Sequence, residues 1–220
     1  MSKALRIFAN TTPPISWLLA LVRAVRGLVR RLSTRARLWR LLGTRRDICL
    51  ELGAGNKRGG GDWLTIDLTS KCDLYWDLNR GIPFPDGSVK KIYSSHLLEH
   101  LTFKEGQRLL AECRRVLAPG GTISVCVPNA RLYIEAYLSN RLLDTTRFLG
   151  YLPAFNKTTA IDYVNYTAYL DGHHKYMFDL DNLVHVLSTS GFRKARPRAF
   201  DPGLDSQERD FESIYAEAEK

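Results

Sequence analysis

Between residues 13 and 43 the apolar positions recur at helical spacing. Leu18, Leu21, Val22, Val25, Val29, Leu32 and Trp39 fall on one side of a helical wheel, and Arg23, Arg26, Arg30 and Arg37 on the other. Pro13 and Pro14 suit the start of such a helix and Gly43 its end. After residue 46 the period changes. "DICLEL" (47–52) is a short apolar run of the kind buried in a parallel sheet, and "WLTIDL" (63–68), "CDLYWDL" (72–78) and "KKIYSSH" (90–96) follow as further strands. Thr102 and Glu105 form a capping box ahead of a helix that carries Leu109, Leu110, Cys113, Val116 and Leu117 on one face. "APGG" (118–121) should stop that helix, with "TISVCV" (122–127) as the fifth strand. "DLDNLVHVLSTSGF" (179–192) reads as a helix closed by Gly191, and "RKARPRAF" (193–200) and "ESIYAEAE" (212–219) as the last two strands. Strands alternating with helices in this order predict a doubly wound, mostly parallel α/β sheet.

Residues 129–176 break the rhythm. They hold seven of the ten tyrosines (Tyr133, Tyr137, Tyr151, Tyr163, Tyr166, Tyr169 and Tyr176) and follow the C-terminal end of the fifth strand. Ligands bind at such a position in α/β sheets, so the segment is expected to be a helical insertion on the substrate side. The organisation expected is therefore a basic amphipathic helix over 1–46 and a catalytic body over 47–220.

Charge sharpens that division. The formal net charge is +9, yet residues 1–46 contain eleven Lys and Arg and no acid, while the remainder carries 21 basic and 23 acidic residues. The basicity belongs to the N-terminal segment, and the body offers no footprint for nucleic acid. Cys49, Cys72, Cys113 and Cys126 are widely spaced without a C-x-x-C, which favours reduced core cysteines over a zinc cluster or disulfide framework. No run approaches the roughly 18 apolar residues of a spanning helix.

"LELGAGNKRGGGDWLTIDL" (50–68) has the outline of a nucleotide site: a strand, a glycine loop, and a second strand ending in an acid. Gly53 and Gly55 allow a sharp turn and close approach of a ligand to the backbone. The third glycine of a dinucleotide fingerprint is replaced by Arg58, and Asp67 lies only 14 residues after Gly53. Nine residues separate Leu52 from Asp62, too few for a full crossover helix, so a turn or two of helix within "NKRGGG" is expected. A pyrophosphate cradle is poorly supplied, which disfavours a nicotinamide dehydrogenase. A cofactor with one adenosine and no pyrophosphate fits better.

"LELGAG", the acid of "TIDL", "DLNRGIPFPDGSVKKIYSSHLLEHL", "RRVLAPGGTISVCVPN" and "HKYMFDLDNLVHVLSTSGF" resemble, in order, the successive motifs of class I S-adenosylmethionine-dependent methyltransferases. The resemblance spans about residues 47–200. Within that superfamily it is most similar to predicted methyltransferases found among bacterial polysaccharide-synthesis enzymes. It implies a seven-stranded Rossmann-like sheet and S-adenosyl-L-methionine as cofactor. By position, Glu51, Gly53 and Gly55 would line its methionine half, Asp67 would accept from the ribose hydroxyls, Asp77 and Leu78 would meet the adenine, and Ser95 and His96 would border the sulfonium. The short first crossover departs from the family and leaves Asn56, Lys57 and Arg58 without an implied role.

The densest titratable cluster is "DGHHKY" (171–176). His173 or His174 can serve as general base near neutral pH, with Asp171 to orient the ring; position in the family sets His174 as structural or substrate-facing and leaves His173 the better base. No second cluster supports a metal site, and none is expected. His96 and His100, in "SHLLEHL", suit polar packing at a strand–helix junction as well as a functional role.

The activity this implies is O-methylation of a sugar or polysaccharide-related acceptor near a membrane. Methylation of a membrane lipid or quinone is the alternative on the same scaffold, and a catalytically silent adaptor the alternative outside enzymology. The expected partners are a small-molecule or glycan acceptor and an anionic membrane surface bound through residues 13–43, with no nucleic acid. A protein partner or a second subunit in a homo-oligomer is the rival for that helical face. Peripheral attachment to a membrane in the cytoplasm is expected; a mitochondrial location is the alternative, because transit peptides are also amphipathic, Arg-rich and poor in acids.

Overall fold

The computed structural model describes residues 15–44, 47–141 and 159–220. The chain divides into two compact units with the boundary between Gly43 and Thr44. The first contains helix α1, Ile15–Thr44. Its predicted starting prolines, Pro13 and Pro14, lie outside the described residues.

The second unit is built on one seven-stranded sheet. Its strands are β1 (Ile48–Leu52), β2 (Trp63–Asp67), β3 (Leu74–Tyr75), β4 (Val89–Ser95), β5 (Leu117–Pro128), β6 (Arg193–Pro197) and β7 (Ser213–Glu219). They lie in the order β3-β2-β1-β4-β5-β7-β6. The first five are parallel, and β7 runs antiparallel to both β5 and β6. The strand order reverses between β1 and β4, which leaves a crevice at the carboxyl ends of the parallel strands. Ile48, Leu50, Leu52, Leu64, Ile66, Ile92, Ile123 and Val125 form the buried centre of the sheet.

Helix α2 (Phe103–Val116) joins β4 to β5 and begins with the predicted capping box: Thr102 Oγ1 accepts from the Glu105 amide, and Glu105 accepts from the Thr102 amide at 2.8 Å. Its buried face is Leu109, Leu110, Cys113 and Val116. Helix α5 (Leu180–Thr189) is N-capped by Asp179 and followed by Gly191 at φ +86°. The tyrosine-rich insertion contains α3 (Ala130–Leu138) and α4 (Ile161–Tyr169), and Tyr133, Tyr163 and Tyr166 form a buried cluster between them. Residues 142–158, including Tyr151, lie outside the described residues. All four cysteines are free and buried.

Two expectations are corrected. The first crossover contains no helix: residues 53–62 are turns and irregular chain. Asp73 instead ties the crossover to β2, accepting from the Gly59 amide at 2.7 Å and the Thr65 amide at 3.2 Å. The second correction concerns the start of β5: α2 ends at Val116, ahead of "APGG" as expected, but these residues belong to the strand. The strand begins at Leu117 and carries the glycines within it. The β4–β5 register shifts between Val89 and Lys91 to accommodate them, and Gly121 packs so closely that a Cβ there would lie 3.0 Å from the Lys90 carbonyl.

Candidate active site

Two cavities open where the loops after β1, β2 and β4 converge, and Gly53 lines both. The smaller is walled by Asp67, Trp76, Asp77, Leu78, Leu97 and Leu101. The larger runs from Glu51 and Gly55 past Ser95 and His96 to Glu99, His100, His174, Arg209 and Glu212.

The glycine loop is held by its neighbours. Gly53 and Gly55 have φ of +68° and +61°, and a Cβ on Gly53 would lie 2.9 Å from a Leu97 methyl. The Gly55 amide donates to Asp67 Oδ2 at 2.8 Å, and Thr69 Oγ1 donates to the Gly55 carbonyl at 2.6 Å. Glu51 accepts from Lys57 Nζ at 3.0 Å, a contact no sequence pattern suggested. Asp77 caps a 3-10 turn over Leu78–Arg80 by accepting from the Asn79 amide at 3.1 Å. Behind that turn, Trp76 Nε1 donates to the Gly81 carbonyl at 2.8 Å, and Glu112 accepts from the Ile82 amide at 2.9 Å. Arg115 donates to Glu112, Asp86 and the carbonyls of Ile82 and Phe84, which fastens this wall to α2.

The larger cavity is lined on one side by titratable groups with unusual surroundings. His96 sits at the end of β4 with φ +50°, a conformation uncommon for a residue other than glycine. Its Nε2 lies 3.0 Å from Ser213 Oγ, whose own proton goes to the Arg209 carbonyl at 2.7 Å, so the imidazole donates and carries its lone pair on Nδ1. Burial drives its pKa down to about 3. Glu99 is buried in a 3-10 turn (Leu98–His100), and burial pushes its carboxyl up to about 8. Neither of its oxygens has a hydrogen-bond partner. His100 and His174 each place Nδ1 against a backbone carbonyl, that of His173 at 3.0 Å and that of Thr167 at 2.9 Å. Burial lowers both of their pKa values. Opposite them, Glu212 accepts from the buried Tyr133 hydroxyl, and burial raises its pKa.

Local chain geometry brings His174 here. Leu170, Asp171 and Gly172 all have positive φ and reverse the chain after α4. The amides of Lys175 and Tyr176 then bond the Glu99 carbonyl at 2.7 and 3.3 Å, which draws "HHKY" against "LEH".

The expected cofactor residues therefore fall in two groups. Gly53, Asp67, Asp77 and Leu78 line the smaller cavity, and Glu51, Gly53, Gly55, Ser95 and His96 the larger. The expected catalytic residues separate: His174 lines the larger cavity, while His173 and Asp171 are exposed and outside its lining. No hydrogen bond joins Asp171 to either histidine among the described residues. Glu99, Arg209 and Glu212 carry no expectation from sequence. For Glu99 a signal existed in the spacing of "HLLEH", which can set two histidines and an acid together in one tight turn.

The family described as a methyltransferase domain is matched over residues 74–125, from β3 through most of β5. No curated protein matches the chain. Among solved structures, a SAM-dependent methyltransferase from Archaeoglobus fulgidus is similar, with 16% identity, 86% of this chain and 94% of that chain covered, and a TM-score of 0.51. An S-adenosylmethionine-dependent methyltransferase from Mesorhizobium loti has 16% identity, 83% and 97% coverage and a TM-score of 0.48. The Haemonchus contortus phosphoethanolamine N-methyltransferase 2, in complex with S-adenosyl-L-methionine, has 12% identity, 86% and 52% coverage and a TM-score of 0.47. The fold is the Rossmann-like fold of S-adenosylmethionine-dependent methyltransferases, and the chain carries a methyltransferase-domain match within it.

Proposed function

We propose that the chain is an S-adenosylmethionine-dependent O-methyltransferase whose acceptor is a sugar or polysaccharide-related hydroxyl, working at an anionic membrane surface. One observation carries the catalytic part. Gly53 and Gly55 line the larger cavity together with Glu99, His100 and His174, so the glycine loop and that cluster face one space, and Gly53 also borders the smaller cavity.

The residues fit the cofactor. Positive-φ glycines allow close approach, Asp67 presents a carboxylate at the end of β2, and the smaller cavity has apolar walls suited to a purine. Bound there, the cofactor supplies a methyl group on a positively charged sulfur, a reactive donor that leaves positioning as the main task of the protein. Gly53 and Gly55 would fix the donor end beside Ser95 and His96. Glu99, His100 and His174 would face the acceptor oxygen and hold it in place. The charged and polar side chains in the lining of the larger cavity, among them Lys57, Ser95, Glu208 and Arg209, support a hydroxylated acceptor over a long lipid chain. Exposed apolar side chains along α1 support the membrane part.

Calorimetric titration of the full chain with S-adenosylhomocysteine tests the cofactor reading, with one site per chain expected. A folded protein that does not bind it would leave the adaptor reading standing. An acceptor screen with labelled methyl donor, comparing glycosides with quinols and phospholipids, tests the acceptor class.

A further inference from the structure

Three imidazoles and one carboxylate converge in the larger cavity with their lone pairs facing inward. His100 and His174 spend their Nδ1 protons on backbone carbonyls, at 3.0 and 2.9 Å, which leaves both Nε2 atoms as acceptors. His96 spends its Nε2 proton on Ser213, leaving its Nδ1 lone pair 3.5 Å from Glu99 Oε1. Glu99 has only 2% of its surface exposed, and neither of its oxygens has a partner. His100 Nε2 is 3.9 Å from Oε1, well beyond the roughly 2.8 Å of a hydrogen bond to a carboxyl. Arg209 lines the same cavity without hydrogen bonding to Glu99. A buried carboxyl group that has no hydrogen-bond partner and faces imidazole lone pairs is left unsatisfied.

The geometry points to a divalent metal-ion site formed by Glu99, His100 and His174, with its open side facing the cavity that takes the acceptor. One ligand atom from each residue lies within 4.8 Å of the other two. An ion with bonds near 2.0–2.2 Å needs its donors about 3.3 Å apart, so the side chains have to close by up to about 1.5 Å. The carbonyls behind both histidines already set the tautomer and ring orientation that metal ligation requires. Two nitrogens and one oxygen suit zinc or a neighbouring first-row ion rather than magnesium, which prefers oxygen alone. Three protein ligands leave a position free for an acceptor hydroxyl, which the ion would orient and acidify as its proton leaves to solvent. That role, though not the ion binding itself, rests on the methyl-transfer reading.

The experiment is a zinc titration of tag-free, full-length protein stripped with a chelator, against a chromophoric competitor. One zinc ion per chain is expected, undisturbed by millimolar magnesium. Glu99→Gln, His100→Ala and His174→Ala should each weaken zinc by about 100-fold or more, and His185→Ala, on the exposed side of α5, should leave it unchanged. Titration with S-adenosylhomocysteine identifies variants that fail to fold. Zinc-edge absorption of the wild type supplies a readout needing no variant, with scattering from two imidazoles expected. Sulfur ligation, zinc affinity indifferent to the three substitutions, or no bound zinc in protein that still binds S-adenosylhomocysteine would each overturn the metal site. The last result leaves the methyltransferase reading intact. Zinc binding without S-adenosylhomocysteine binding would do the reverse.

Discussion

Asp67 has two tasks for one carboxylate. It accepts the Gly55 amide through Oδ2, and in the proposed reading it also receives the ribose hydroxyls. Losing charge-assisted hydrogen bonds of that kind costs roughly 2–4 kcal/mol. Asp67→Ala should therefore weaken S-adenosylhomocysteine by well over tenfold in calorimetry. Asp67→Asn, which keeps an acceptor for Gly55, should lose less. Unchanged affinity in the folded alanine variant contradicts the assignment. A second carboxylate works for stability alone. Asp205 is bound twice by Arg198, at 2.5 and 2.7 Å, and accepts from the Tyr93 hydroxyl at 2.9 Å. Burial alone would raise its pKa, but these donors outweigh burial and hold it below its usual 3.8. The pairing thus contributes fully above pH 3.8 and is lost as pH falls through the lowered folded value. Asp205→Ala should cost about 3–5 kcal/mol at pH 7 in urea unfolding, and the gap between variant and wild type should narrow below about pH 4. Asp67 and its glycines were legible in the sequence because chain neighbours fix them: a strand end, a turn and a strand end. Glu99 and His174 were not, because 75 positions of chain separate them and tertiary contacts, among them the bonds from "HHKY" to the Glu99 carbonyl and from His100 to the His173 carbonyl, bring them together.

At the scale of elements, periodicity located all seven strands and helices α2 and α5 of the larger unit, while α3 and α4 were expected only as an insertion of helical character. It failed where backbone groups are satisfied by something other than regular structure. The first crossover is the main case. Its length excluded a full helix, but nothing local showed that Asp73, in the next loop, would accept from the amides of Gly59 and Thr65. The same packing makes Gly59 indispensable, since a Cβ there would lie 2.1 Å from the Trp63 carbonyl. Gly59→Ala has to push backbone aside, which typically costs 1–3 kcal/mol or more for an overpacked site. The expected outcome is a lower urea midpoint, together with weaker S-adenosylhomocysteine binding, because this crossover carries Gly53 and Gly55. Gly60→Ala is the contrast: nothing lies within 4 Å of its Cβ position, and stability should be close to wild type. The glycines of "APGG" misled for a related reason. Gly121 marks close approach of β5 to β4, while Gly120, at φ +75° in open space, serves the irregularity where the register shifts, and a glycine needed for proximity cannot be told from one needed for a turn without knowing the partner strand.

For the whole molecule, the division of charge noted in the sequence coincides with a division of exposed apolar surface. Leu18, Leu21, Val25, Leu28, Val29 and Leu32 of α1 are each more than half exposed. A run of large aliphatic side chains in contact with water is unusual for a soluble surface and marks an interaction face. Among the described residues no helix is long and apolar enough to cross a membrane. A helix of 30 residues with one apolar face and eleven basic residues in its segment suits the plane of an interface instead. Each basic residue close to an anionic leaflet contributes about 1 kcal/mol, and that attraction is screened by salt. Full-length protein should therefore co-sediment with vesicles containing anionic lipid, less at high salt than at low, and little with neutral vesicles. Replacing Leu21, Val25 and Leu28 together by Gln keeps the charge and the helix propensity while removing apolar surface. At roughly 25 cal/mol per Å² of apolar area withdrawn from water, this variant should lose most of its vesicle binding and keep its affinity for S-adenosylhomocysteine. If it binds vesicles as the wild type does, attachment does not run through this face. A concentration-dependent mass in its place, lost in the same variant, would assign the face to a second copy of the chain.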